Sequence, residues 1–110
     1  MERFVKGDIV VLPFPYTDFS VIKNRPALVI ANLRGNNLIL AQITTNERED
    51  EDLVKLSGKD FSFGSLKKDS YIMASLIFTA EISKIKYIAG KIKTEKIKEI
   101  ENKLIEVFTR

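Results

Sequence analysis

The chain has 110 residues, 45% of them hydrophobic and 30% charged, with a formal charge of +3. That is the size and balance of one domain able to fold without disulfides or bound metal. It contains no cysteine and no histidine, which excludes disulfide frameworks, thiol nucleophiles, imidazole acid–base chemistry and the usual zinc ligands together. No apolar run approaches the roughly 18 residues of a membrane span, and Met1-Glu2-Arg3-Phe4 lacks a signal-peptide stretch, so a cytoplasmic protein without membrane contact is expected.

Gly7 to Leu12 reads as a short apolar strand. It runs into Pro13-Phe14-Pro15, where proline offers no N–H to a ladder, and a loop as far as about Pro26 is expected. Ala27 to Ala31 and Leu38 to Ile43 are two further apolar runs, joined by Arg34-Gly35-Asn36-Asn37, whose Gly and Asn suit a tight turn. A β-hairpin is predicted there. Glu47 to Asp52 carries five acids against Arg48, a local charge of −4 that reads as a solvated loop and leaves the rest of the chain near +7. Such a surplus suits a phosphate backbone, although surface lysines that confer solubility are the simpler reading.

Leu53 to Leu56 alternates weakly, Ser57-Gly58-Lys59-Asp60 and Phe63-Gly64-Ser65 read as turns, and strands resume near Ser70 to Ala74 and Ile77 to Ile82. After Gly90 the period changes. Ile97, Ile100, Leu104, Ile105 and Phe108 fall on one side of an amphipathic helix, with Thr94 as a candidate cap and Glu99–Lys103 as an i,i+4 pair. Five or so short strands and a C-terminal helix predict a mostly β domain over residues 1–110, a bent sheet or small barrel closed on one side by the helix.

Three groups of residues could carry chemistry. Arg25-Pro26 stands where the first loop enters a buried strand, and proline holds the preceding arginine extended, setting a permanent cation at a sheet rim. Thr44-Thr45 ends the third strand; in an antiparallel hairpin the start of one strand neighbours the end of the other, so Arg25 and Thr44 can meet. Phe14, Tyr16 and Phe19 punctuate the first loop and are followed by Lys23, as stacking of unpaired bases beside cations requires. The plain alternatives are a surface arginine, strand-favouring threonines and rings that plug the loop onto the core.

Gly7-Asp8-Ile9-Val10, Pro13-Phe14-Pro15-Tyr16-Thr17-Asp18 and Lys23-Asn24-Arg25-Pro26-Ala27-Leu28-Val29-Ile30 together resemble the N-terminal signature of the PemK/MazF toxin family, PemK-like branch. Ala41-Gln42-Ile43-Thr44-Thr45, the segment Gly64 to Ile72, Phe78-Thr79 and Ile88-Ala89-Gly90-Lys91-Ile92 are similar to its later blocks, in order. The resemblance implies an SH3-like small barrel, a homodimer, and the toxin of a type II toxin–antitoxin pair that cleaves single-stranded RNA without metal or other cofactor. It places the catalytic pair on Arg25 and Thr44, with RNA contacts expected from Phe14, Tyr16, Lys23 and Thr45. The implied partners are a cognate antitoxin lying in the active groove, single-stranded RNA, and operator DNA reached through the antitoxin complex.

There are departures from the pattern. Leu76 and Phe78 stand where relatives carry a basic residue, and Val21 where many have glycine. Two alternatives therefore stay open: a family member that binds antitoxin and DNA without cleaving, and a gyrase-poisoning toxin on the same fold.

Overall fold

Among the described residues, seven strands and one α-helix follow in order: β1 (Asp8–Pro15), β2 (Ile22–Asn32), β3 (Asn37–Thr44), β4 (Leu53–Leu56), β5 (Phe61–Gly64), β6 (Ser70–Glu81), β7 (Tyr87–Ile92) and α1 (Thr94–Thr109). The computed structural model describes residues 3–15, 22–47 and 49–110. Tyr16, Phe19 and Val21, singled out above, lie outside the described residues. The strands form one antiparallel sheet in the order β4-β6-β3-β2-β1-β7-β5. This is the mostly β domain with a C-terminal helix that the sequence predicts, the sheet curling as a small barrel does.

Strand alternation builds a core on each face of the sheet. Ile9, Leu28, Ala41, Ile43, Val54 and Ile72 point to one side and are covered by Ile100 and Leu104 of α1. Val10, Leu12, Ala27, Val29, Leu38 and Leu40 point to the other and are covered by Phe4, with Phe14, Phe78 and Ile85 at its margin.

Four local expectations are corrected. First, β1 does not stop at Pro13: Pro13 faces Asn24, Phe14 faces Lys23 and Pro15 faces Ile22. The reason is hydrogen-bond parity. The Lys86 N–H donates to the Val11 carbonyl, so odd residues of β1 turn their main-chain groups toward β7, whose pairing with β1 ends at Val11. Pro13 and Pro15 thus direct their missing donors at an edge that no strand pairs among the described residues, the place where a strand tolerates proline. Second, the two strands expected between Ser70 and Ile82 are one, with a register shift from Ala41↔Ile77 to Ile43↔Ile72. The bulge over 73–76 bends β6, and bending there is what breaks the alternation in the sequence.

Third, the charges near α1 pair differently. Thr94 is the first helical residue rather than the cap, and Lys93 occupies the cap position without a side-chain bond; its N–H instead donates to the Asp60 carbonyl at 2.8 Å. Lys96 and Lys103 bond Glu99 and Glu106 at i,i+3 spacing, because both lysines also reach sideways to the Lys55 and Glu51 carbonyls. The acidic run is not wholly solvated either. Asp52 is buried and holds the Arg110 guanidinium at 2.7 Å.

Gly64 is fixed by close approach. Its φ is +74°, and a Cβ there would stand 2.2 Å from the Ala89 carbonyl oxygen, so only glycine lets β5 lie against β7.

Candidate active site

Two of the candidate residues, Arg25 and Thr44, lie where the β2–β3 ladder ends. That ladder's last pair is Ala27↔Gln42; two residues further in the same register, Arg25 stands against Thr44. Leu12 flanks Arg25 on β1, Tyr71 pairs with Thr44 on β6, and Lys55 pairs with Tyr71 on β4. Cross-strand neighbours share a face. One row therefore crosses the sheet, reading Leu12, Arg25, Thr44, Tyr71 and Lys55, on the face that carries Ala27, Val29, Leu38 and Leu40.

The row runs from core to solvent. Leu12 is buried, Arg25, Thr44 and Tyr71 are half-buried, and Lys55 is exposed. Burial on one flank screens the Arg25 charge less than water would, so its attraction for an anion is stronger than that of a surface lysine. The Thr44 Oγ1 accepts the Asn46 N–H at 3.1 Å, which orients the oxygen and leaves the hydroxyl proton to be donated. The Tyr71 hydroxyl donates to Glu47 Oε2 at 2.7 Å. That bond pushes the Tyr71 ionisation up, with burial and the negative charges of Glu47 and Asp69 adding to it. Arg25 and Lys55 thus bracket two hydroxyls and one carboxylate.

The other expected contacts are dispersed around this row. Phe14 is half-buried, set edge-on to Phe78 with ring centroids 5.2 Å apart and planes at 77°, and packs on the second core. Phe78 is thus absorbed into packing, while Leu76 is exposed. Lys23, opposite Phe14, is exposed. Thr45 is exposed off the row and lines a cleft of about 320 Å³ with Pro26, Leu66, Lys67, Lys68 and Ser70. A larger cleft of about 430 Å³, walled by Asn24, Tyr87 and Ile88, shares Pro26, Leu66 and Lys67 with it. Strand alternation thus separates Thr45 from Arg25 and Thr44.

Sequence reasoning missed Tyr71 and Glu47. Tyr71 lay in a block with no chemical pattern and Glu47 in an acidic run read as solvated; only the β3–β6 register brings them to Thr44. Among the described residues, no group of three or more acidic side chains could hold a metal ion, and no helix is long and apolar enough to cross a membrane.

A curled antiparallel sheet closed by a terminal helix is a small barrel shared by several solved structures. The fold matches an endoribonuclease in complex with its cognate antitoxin from a mycobacterial species, at TM-score 0.77 and 15% identity over 96% of this chain and 95% of that one. It also matches the Mycobacterium tuberculosis toxin MazF-mt6, at 0.73 and 16% over 92% and 95%, and MazE–MazF from Deinococcus radiodurans, at 0.75 and 15% over 99% and 98%. No curated protein matches by sequence. Residues 5–108 match the model of the PemK-like, MazF-like toxins of type II toxin–antitoxin systems. The chain belongs to that family.

Proposed function

We propose that this toxin is an endoribonuclease that cleaves single-stranded RNA without metal, by attack of a ribose 2′-hydroxyl on the adjacent phosphodiester. The observation that supports this reading is the β2–β3 register, which, continued two residues past its last pair Ala27↔Gln42, brings Arg25 toward Thr44. Arg25 faces the charge that builds on the phosphorane oxygens, and Thr44 donates to a phosphate oxygen and fixes its position. An arginine is a poor proton donor at neutral pH, so its part is electrostatic. The bond from phosphorus to the 5′-oxygen breaks, leaving a 2′,3′-cyclic phosphate and a 5′-hydroxyl. Lys23 and Lys55 supply charge for the flanking phosphates, and Thr45, Phe14 and Tyr16 are proposed to contact the RNA beyond the scissile bond.

Family membership and the similar structures with antitoxin bound support a cognate antitoxin as partner. An acidic and apolar antitoxin segment over Arg25 would exclude RNA, and operator DNA would be reached through that complex. A homodimer is proposed as well. Ile105 and Phe108 of α1 are 59% and 65% exposed, apolar surface of the kind that association covers.

The test is incubation of pure protein with a long unstructured RNA in chelator. Cyclic-phosphate ends are expected, and a deoxyribose at the nucleotide 5′ to the scissile bond should block cleavage. Cleavage of that deoxy substrate, or cleavage only with added metal, would refute the mechanism.

A further inference from the structure

We infer that Glu47 is the base that takes the proton from the attacking 2′-hydroxyl and that Tyr71 is the positioning residue that holds it there. This rests on the ribonuclease reading above and adds to it the one component that Arg25 and Thr44 do not provide. Attack by a 2′-oxygen needs an acceptor for its proton. Arginine is a permanent cation and accepts none, threonine is not basic, and the chain has no histidine.

The geometry supplies a carboxylate. After Thr44, the bond from the Asn46 N–H to Thr44 Oγ1 turns the chain back at the end of β3, so that Glu47 reaches across to β6. There the Tyr71 hydroxyl, on the residue paired with Thr44, fixes Glu47 Oε2 at 2.7 Å. The phenol O–H is the donor of that bond and the carboxylate, which has no proton to give, the acceptor. Glu47 is itself exposed and so accessible to a ribose. Other charged groups face the pair: Lys55 from β4, Asp69 from the approach to β6, and Arg25 from β2 beyond Thr44. The two cations on the row offset the repulsion between the carboxylate and a scissile phosphate.

In the step, the 2′-O–H bond breaks as the 2′-oxygen bonds to phosphorus, and the proton passes to Glu47 Oε1. The bond from phosphorus to the 5′-oxygen breaks and that oxygen takes a proton from water. The carboxylate then releases its proton to solvent, restoring the enzyme.

Glu47→Gln keeps the shape and an oxygen to accept the Tyr71 bond, but cannot take a proton. It should lower kcat by roughly 10²- to 10⁴-fold, the usual contribution of a general base, and abolish the acidic limb of the pH–rate profile. Binding of a deoxy-substituted RNA should change little. Tyr71→Phe should lower kcat by about tenfold with KM little changed, and should retain that limb. The assay uses the wild type and Arg25→Ala in parallel, in chelator, with thermal unfolding of each variant. If the wild type forms cyclic phosphate and Arg25→Ala does not, while folded Glu47→Gln keeps wild-type kcat and pH profile, the base assignment is overturned and the ribonuclease reading stands. If Glu47→Gln only lowers the thermal midpoint, the pair is structural and the assignment also fails. No cleavage by the wild type removes both.

Discussion

Replacing Arg25 tests the site most directly. Two unit charges about 4 Å apart near a protein surface attract by about 4 kcal/mol at an effective dielectric of about 20, and Arg25 is half-buried beside Leu12, which keeps water from one flank. Loss of one donor aimed at transition-state charge costs about 2.7–4 kcal/mol, or roughly 10²- to 10³-fold in rate. Arg25→Ala should therefore lower single-turnover cleavage of a labelled RNA in chelator by that factor. Truncation also removes the half-buried side-chain stem beside Leu12, worth about 1 kcal/mol if half of its methylenes are buried. The thermal midpoint should then fall by about 5 °C, leaving a folded protein. Arg25→Lys should recover part of the rate, because it keeps the charge and loses the planar fork. A folded Arg25→Ala protein that cleaves within about threefold of the wild type would refute the assignment, as would Arg25→Lys falling below Arg25→Ala.

Thr44→Val should slow the same reaction about tenfold, and Thr45→Val less than about threefold, because Thr45 lies in the neighbouring cleft and off the row; equal effects would contradict the strand alternation. Gly64→Ala should destabilise by more than about 2 kcal/mol in denaturant unfolding, since its Cβ meets backbone, whereas Gly35→Ala, with φ +90° and open space around it, should cost only about 1 kcal/mol of strain. Lys55→Ala should weaken RNA binding and reduce the slope of log affinity against log salt by about 0.7, one single-strand phosphate contact, as read by a binding titration over several salt concentrations.

Elements whose patterns were local could be read in the sequence. The apolar runs of β2 and β3 with Arg34 to Asn37 between them identified the hairpin, and Ile97, Ile100 and Leu104 identified α1, because helical spacing and strand alternation are written in consecutive residues. The hairpin alone was enough to bring Arg25 toward Thr44, since antiparallel pairing makes the start of one strand the neighbour of the end of the next. The prolines misled for a physical reason. Proline forbids a ladder bond only on the side where its nitrogen points, and which side of β1 lacks a partner depends on where β7 stops. The composition likewise ruled out histidine and cysteine chemistry before any fold was known.

What the tertiary structure alone decided is long-range pairing. β6 returns to β3 across 27 positions of sequence at Thr44↔Tyr71, and the shift near Ala41 sets which face Tyr71 takes. No local period encodes a register between distant strands, because it is fixed jointly by both cores, the bulge over 73–76 and the packing of α1 on the sheet. The sequence by itself therefore determined the fold class and the hairpin that brings Arg25 toward Thr44. The Tyr71–Glu47 contact, the burial of Asp52 under Arg110 and the separation of Thr45 from its neighbour Thr44 came only when the sheet curled and brought distant strands into register.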